Sequence, residues 1–328
     1  MVYNQPNINN KEELEAARSA LQACPVNAIR VEQNKNGLDD EDQNGLRKSL
    51  SSNNHDTKAF PKSIHPMVDT GVYYTGHHND STFGAIPYLV LGKSPEGNDI
   101  SVMVDVPRFS SSAVNAVKSL AVSGPDYLFL THVDDTADHN KWKKEFPNMK
   151  RIFHSGDLGK HNWVGDLTLE EVEILLQNDV NDILDDNDIA TWDINGNPSD
   201  KLKQQKQLDP GEFLILHTPG HSPGSISLLF RPEITNEQND YPNGILFTGD
   251  TYALTVRGGG YMSGFPRYGN NLPLQATTLQ KLCNIRDMWD IICPGHGHLR
   301  FYDHIKENRN EVKQNEMIIA IKELQSTR

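Results

Sequence analysis

Four segments bearing histidine or aspartate each follow a short apolar run: Thr131-His132 on to Asp138-His139, Thr218-Pro219-Gly220-His221, Thr248-Gly249-Asp250 and Pro294-Gly295-His296-Gly297. The runs before them, residues 127–130, 213–216, 245–247 and 289–292, have strand length and are bounded by Gly, Pro or Thr, as buried strands are. Such a chain has to set several strand ends on one sheet edge, where the turns that follow converge imidazoles and carboxylates. Neutral imidazole and carboxylate suit zinc, iron or manganese, and a carboxylate between two ions can bridge them.

The rest of the chain fits an α/β enzyme. Residues 72–74, 88–91 and 101–104 supply opening strands, 111–121 a short helix, 151–154 a further strand and 305–324 a terminal helix with apolar residues at helical spacing. Residues 195–210 are a surface loop by composition. With 328 residues the chain can bury a large core. A net charge of -13 without a basic run argues against nucleic acid as a partner, because phosphate contacts need clustered Lys and Arg. The apolar stretches are too short to span a membrane and no apolar signal-peptide region opens the chain, so the protein is expected to be soluble. The three scattered cysteines, Cys24, Cys283 and Cys293, form no disulfide framework and point to a reducing compartment.

In their order, the four segments resemble the metallo-β-lactamase superfamily, whose motifs are H-x-H-x-D-H after a strand, a lone His in a T-P-G-H setting, Asp in T-G-D, and His in a P-G-H-G turn. The resemblance runs from about Pro66 to the C-terminus and implies an αββα sandwich. It implies His132 and His221 as ligands of a first metal, Asp138, His139 and His296 as ligands of a second, and Asp250 as the bridge. The first motif departs from the pattern. Its second histidine position is Asp134, and Asp138 lies six residues after His132 instead of four. Counting forward from the strand keeps His132 and makes Asp134 a carboxylate ligand; counting back from Asp138-His139 puts Asp134 and Thr136 in the histidine positions. The first alignment is adopted, with Asp134 or its neighbour Asp135 reaching the first metal. A carboxylate there, as in flavodiiron-type members of the superfamily, tilts the site from zinc toward iron or manganese.

A narrower resemblance is to a cyanobacterial and plant subgroup carrying a ferredoxin-like segment ahead of the hydrolase-like domain. It rests on residues 132–139 with Lys141-Trp142, and on residues 72–76, 104–109 and 151–154. Residues 13–21 have helix-like apolar spacing, and Ala23-Cys24-Pro25 through Ile29 is similar to the last cysteine turn of a bacterial-type ferredoxin. A four-iron cluster needs four thiolates, so three cysteines hold no iron-sulfur cluster in this chain. The segment is either a relic or the remainder of a sequence trimmed upstream, with Cys24 a small buried residue. The expected organisation is a ferredoxin-like remnant over 1–32, a polar linker over 33–62 and the sandwich domain over 63–328. The subgroup includes plastid proteins, so the expected location is intracellular, cytoplasmic or plastid.

The activity so implied is metal-dependent hydrolysis of a small-molecule ester, thioester, lactone or β-lactam. Two divalent ions are expected, zinc first, with iron or manganese as alternatives. Asp138 would ligate and orient the attacking water, and Asp250 would bridge. The glycine-rich, aromatic stretch 257–268 offers Tyr261, Phe265, Arg267 and Tyr268 as a substrate wall. One alternative uses His132, His221 and Asp250 alone as a two-His, one-carboxylate iron site, as in persulfide dioxygenases. Another is a non-catalytic redox or binding module. His154, His217 and His298 are read as structural or outlying, and His77 and His78 as turn residues. The acidic run 182–188 lacks the glycine and terminal glutamate of a calcium loop.

Overall fold

Two β-sheets take up the apolar runs. The computed structural model describes residues 10–23, 60–177, 189–234, 242–255 and 260–327. One sheet holds β1 (Lys62–Ser63), β2 (Val72–Tyr74), β3 (Tyr88–Lys93), β4 (Asp99–Val104), β5 (Tyr127–Phe129), β6 (Lys150–His154) and β7 (Ile174–Leu176) in chain order. It is antiparallel up to β4 and parallel from β4 to β7. The other contains β8 (Thr191–Trp192), β9 (Phe213–His217), β10 (Ile226–Phe230), β11 (Ile245–Gly249), β14 (Ile291–Pro294) and β15 (Arg300–Phe301), ordered β15-β14-β11-β10-β9-β8. Within it only β11 and β14 run parallel. A small pair, β12 (Ala253–Thr255) and β13 (Tyr261–Ser263), lies between β11 and β14 in the chain.

Side chains alternate across a strand, and here both faces are apolar because both are covered. Tyr88, Val90, Val102, Val104 and Phe129 meet Phe213, Ile215, Leu228, Phe230, Phe247 and Ile291 between the sheets. Their neighbours Leu89, Met103 and Leu128 face outward onto Ala113, Val117 and Trp142. These last belong to α2 (Ser111–Lys118) and α3 (His139–Glu145). On the far side Leu214, Leu216, Leu246 and Ile292 pack against Leu279, Leu282, Met317 and Leu324, from α4 (Leu272–Asn284) and α5 (Arg309–Ser326). The order is helix, sheet, sheet, helix. Local signals start the helices: Ser110 Oγ accepts from the Ala113 N–H at 3.1 Å and Asn271 Oδ1 from the Leu274 N–H at 3.1 Å, each capping a first turn. A further helix, α1, spans Lys11–Ala23.

Some boundaries shift from those expected. The first-sheet helix ends at Lys118, and the terminal helix starts at Arg309 after Asn308 at φ 57°. The run 289–292 becomes a strand only at Ile291, following a 3-10 turn over Arg286–Met288, and the Asp290 carboxylate is taken up by Asn243, Arg309 and Lys313. Lys62, at the end of the expected linker, already pairs with Tyr74. Cys24, most of the linker, the acidic run 182–188 and residues 257–259 lie outside the described residues. Cys283 and Cys293 are free and buried. Among the described residues no helix is long and apolar enough to cross a membrane.

Candidate metal centre

Each candidate ligand is held by the backbone just past a strand. After β5, the Thr131 N–H donates to Asp105 Oδ1 at 2.9 Å and Thr131 Oγ1 lies 3.0 Å from His132 Nδ1. After β9 the chain turns at Gly220, where a Cβ would fall 2.4 Å from the Gln275 Cα. The His221 carbonyl then accepts the Asn270 N–H at 2.9 Å. Asp157 ties these two turns together. Its carboxylate accepts from the Val133 N–H at 3.0 Å, Ser222 Oγ at 2.7 Å and the Gly224 N–H at 2.6 Å. Asp250 follows β11, and His296 follows Gly295 at the end of β14.

Two donor groups share Asp250. His132, His221 and Asp250 form one; Asp135, Asp250 and His296 form the other, with the donor atoms of each group within 4.8 Å of one another. His132 Nε2 and His221 Nε2 stand 4.0 and 3.8 Å from Asp250 Oδ2, and each is 3.7 Å from Asp134 Oδ2. On the other side His296 Nδ1 lies 2.8 Å from Asp250 Oδ1, while its Nε2 lies 3.1 Å from the Thr82 carbonyl. Glycine at 295 leaves the room: a Cβ there would come within 2.9 Å of Asp135 Oδ2 and 3.1 Å of Asp250 Oδ1.

His132 Nε2, both ring nitrogens of His221 and both carboxylate oxygens of Asp135 are buried with no hydrogen-bond partner. Unpaired buried polar groups are rare and each costs about 1–3 kcal/mol. The three residues that carry these atoms stand around Asp250 and fit divalent ions, since imidazole nitrogen and carboxylate oxygen are ligands for zinc, iron and manganese. The electrostatics agree. Burial, then His221, lowers His132 to about 4, so its imidazole is neutral. Burial, then the Asp105 charge, pushes Asp135 well up, and burial raises Asp105 to about 7. Burial would also raise Asp250, but the hydrogen bond and charge of His296 outweigh it and hold Asp250 below the usual carboxylate range. A cation would offset this crowding of carboxylates.

Asp138 and His139, expected on the second metal with His296, are placed elsewhere. Asp138 Oδ2 accepts from Asn79 Nδ2 at 3.1 Å and the Phe109 N–H at 2.9 Å, and Oδ1 pairs with Lys141 Nζ at 2.7 Å. His139 Nε2 lies 3.0 Å from Asp166 Oδ2, and Arg151 Nη1 lies 3.2 Å from Nδ1. The cause is the turn. Residues Val133–Asp135 form a 3-10 turn directly after His132, which swings Asp135 inward, and the two extra residues carry Asp138-His139 on to the start of α3. Asp135, expected as an alternative to Asp134 on the first metal, stands with His296 instead.

The expected substrate wall divides. Tyr261 Oη donates to Glu323 Oε1 on α5 at 3.1 Å. Phe265, at φ 51°, lies beside Gly297, and its carbonyl accepts the Tyr268 N–H at 2.9 Å. Arg267, three residues before the Asn270 that grips His221, lies 5.6 Å from the centre of the exposed Tyr268 ring. His154 and His217 stack at 4.3 Å, with His217 Nε2 3.1 Å from the Pro223 carbonyl. His77 is buried, His78 Nδ1 meets the Gly84 carbonyl at 3.0 Å, and His298 is exposed. Sequence reasoning missed three residues. Asp105 directly follows β4, and Asp157 follows β6 by three residues, so an acid after a strand was the signal for both. Trp163, whose indole N–H donates to Asp134 Oδ1, carried none.

No family model matches the chain, and no curated protein matches it either. Among solved structures it is similar to an archaeal metallo-β-lactamase superfamily protein from Sulfolobus tokodaii, at 17% identity and TM-score 0.38 over 74% of this chain and 93% of that one. It is also similar to a metallo-β-lactamase from Pontibacter korlensis, at 12% identity and TM-score 0.43 over 79% and 97%. A third is the metallo-β-lactamase FIM-1 from Pseudomonas aeruginosa in its mono-zinc form, at 12% identity and TM-score 0.39 over 80% and 98%. These likenesses carry nothing about activity. By its own layers, the chain has the αββα sandwich fold expected from its sequence.

Proposed function

We propose that the chain is a metal-dependent hydrolase of small acyl substrates, an ester, thioester, lactone or β-lactam, with two divalent ions bridged by Asp250. His132, His221 and Asp134 would hold one ion, and Asp135 and His296 the other. The observation that carries this reading is that three buried residues with unpaired donor atoms, His132, His221 and Asp135, stand around one shared carboxylate. Such ions supply Lewis acidity, which acidifies a water and polarises an acyl carbonyl. The chain's own residues orient the donors. If Nδ1 of His132 gives its proton to Thr131 Oγ1, Nε2 presents a lone pair; if Nε2 of His296 donates to the Thr82 carbonyl, Nδ1 does the same. Partners of this kind fix both tautomer and ring orientation. In this reading Asp250 and Asp134 would serve in the catalytic and ligand roles expected of them, Asp135 would stand in for Asp138 and His139, and Phe265, Arg267 and Tyr268 would offer a wall for the substrate. Zinc is the first candidate, and two added carboxylates, Asp134 and Asp135, make iron or manganese the alternatives.

The dioxygenase reading uses only His132, His221 and Asp250, and a fully buried Asp135 with neither oxygen paired favours a second ion. Elemental analysis of the purified protein, paired with a hydrolysis panel run with and without chelator, tests the proposal. Two ions per chain and chelator-sensitive hydrolysis are expected. One iron per chain with oxygen uptake on a persulfide and no hydrolysis would replace it with the dioxygenase reading, and a protein that takes up no ion would leave a binding module.

A further inference from the structure

Asp134 lies on a turn, from which a carboxylate can swing toward solvent, and its side chain is 20% exposed. Among the described residues one hydrogen bond holds its side chain. The Trp163 indole N–H donates to Oδ1, which leaves Oδ2 at 3.7 Å from both His132 Nε2 and His221 Nε2. An indole N–H is a donor only, so it fixes one carboxylate oxygen without competing for an ion. The exposure of this ring is unusual within the chain. Trp142, Trp192 and Trp289 are buried in the cores, whereas Trp163 is 47% exposed.

Trp163 belongs to a strap, residues 158–167, that closes on itself and is tied down at its far end. Asn162 Nδ2 donates to the Asp166 carbonyl at 2.8 Å and Asn162 Oδ1 accepts the Gly165 N–H at 3.1 Å. Asp166 Oδ2 then meets His139 Nε2 at 3.0 Å, and His139 Nδ1 faces Arg151 Nη1 at 3.2 Å. Arg151 is itself clamped by both oxygens of Glu173 at 3.1 Å. The tail of the divergent motif is therefore linked, through the strap, to its head.

We propose that Trp163 is a positioning residue that aims the Asp134 carboxylate at the ion shared with His132 and His221, and that His139 anchors the strap carrying it. The proposal rests on the reading that this donor group binds an ion. Losing an outer partner of a metal ligand typically weakens binding by about 10–100-fold, and that is the effect expected here, confined to one ion.

Zinc titration of the metal-free full chain, by calorimetry and by tryptophan emission, tests it. In the wild type, zinc should shift the emission of the exposed indole. Trp163→Phe should lose that shift and bind one ion about 10–100-fold more weakly, leaving the other unchanged. Asp134→Ala should weaken the same ion, and adding Trp163→Phe to it should change nothing further. His139→Ala should act in the same direction as Trp163→Phe. Equal affinities in wild type and Trp163→Phe, an unaffected Asp134→Ala, an unaffected His139→Ala, or the same loss from Trp163→Phe with and without Asp134 would each overturn the proposal while leaving the metal centre standing. A wild type that takes up none of zinc, iron(II) and manganese(II) in parallel titrations overturns the metal centre and the positioning role together.

Discussion

Asp135 is where binding and stability pull apart. Its side chain is fully buried, both oxygens are unpaired, and Asp105 and Asp250 add like charge. The metal-free fold bears that cost, and an ion would remove it. Asp135→Asn is therefore expected to stabilise the metal-free protein, by at most about 1–3 kcal/mol, while abolishing uptake of the ion at His296. Melting curves with and without zinc check this; an unchanged metal-free midpoint with a full zinc response would contradict it. Glu173 allows a separate test away from the centre. Burial would raise it, but the Arg151 guanidinium and N–H outweigh burial and lower it from 4.5 to about 2. A carboxylate depressed in the fold stabilises above its unfolded value and loses that contribution as pH falls from 4.5 toward 2. Urea midpoints across that window should fall less steeply for Glu173→Gln than for the wild type. At this scale the sequence was legible only where geometry is short-range. His132, His221, Asp250 and His296 follow strands closely, so strand-end reasoning reached them. Which acid after His132 turns inward depends on a single 3-10 turn, and spacing alone does not encode it. Trp163, 29 residues from Asp134, is beyond any local pattern.

Elements set the precision with which those residues meet. The strands were readable as short apolar runs between turn residues, because both faces of each are covered, one by the other sheet and one by helices, as with Tyr88, Leu89 and Val90 on β3. The terminal helix was harder to delimit, since it buries a charge among its apolar residues. Lys313 on α5 is fully buried, and its Nζ donates to the carbonyls of Arg286 and Trp289 at 2.8 and 2.5 Å and to Asp290 Oδ1 at 2.6 Å. Burial pulls its pKa down, with Asp290 opposing. Arg309 Nη1 completes the cluster on Asp290 Oδ2 at 2.9 Å. The cluster docks α5 at the entrance to β14, the strand that delivers His296. Removing one partner of a buried pair strands the other charge, at a cost of about 3–5 kcal/mol. Lys313→Met, which keeps the length of the side chain, is accordingly expected to lower stability by that order. Denaturant unfolding checks it, and a loss within experimental error would mean that Arg309 alone satisfies Asp290.

The centre straddles the seam of the whole molecule. His132, Asp134 and Asp135 follow β5 in one sheet, whereas His221, Asp250 and His296 follow β9, β11 and β14 in the other. Asp157 already bridges the two at the turns bearing His132 and His221. The layer order came from the resemblance of the four motifs, whereas the apolar runs by themselves indicated only strands covered on both faces. The register of one sheet against the other is a long-range property, and it decides which donors share Asp250. Ions held across such a seam would bind only the assembled pair of sheets and so stabilise it by mass action, about 2.7 kcal/mol at a concentration 100 times the dissociation constant. Asp250 alone belongs to both donor groups. Asp250→Ala should therefore release both ions, remove the zinc-dependent rise in melting temperature and abolish most of the hydrolysis, whereas His296→Ala should release only one ion. A metal-loaded crystal structure should show the ions roughly 3.5–4 Å apart on either side of the Asp250 carboxylate. If Asp250→Ala keeps one ion at wild-type affinity, that carboxylate is not the bridge, and the two donor groups act independently.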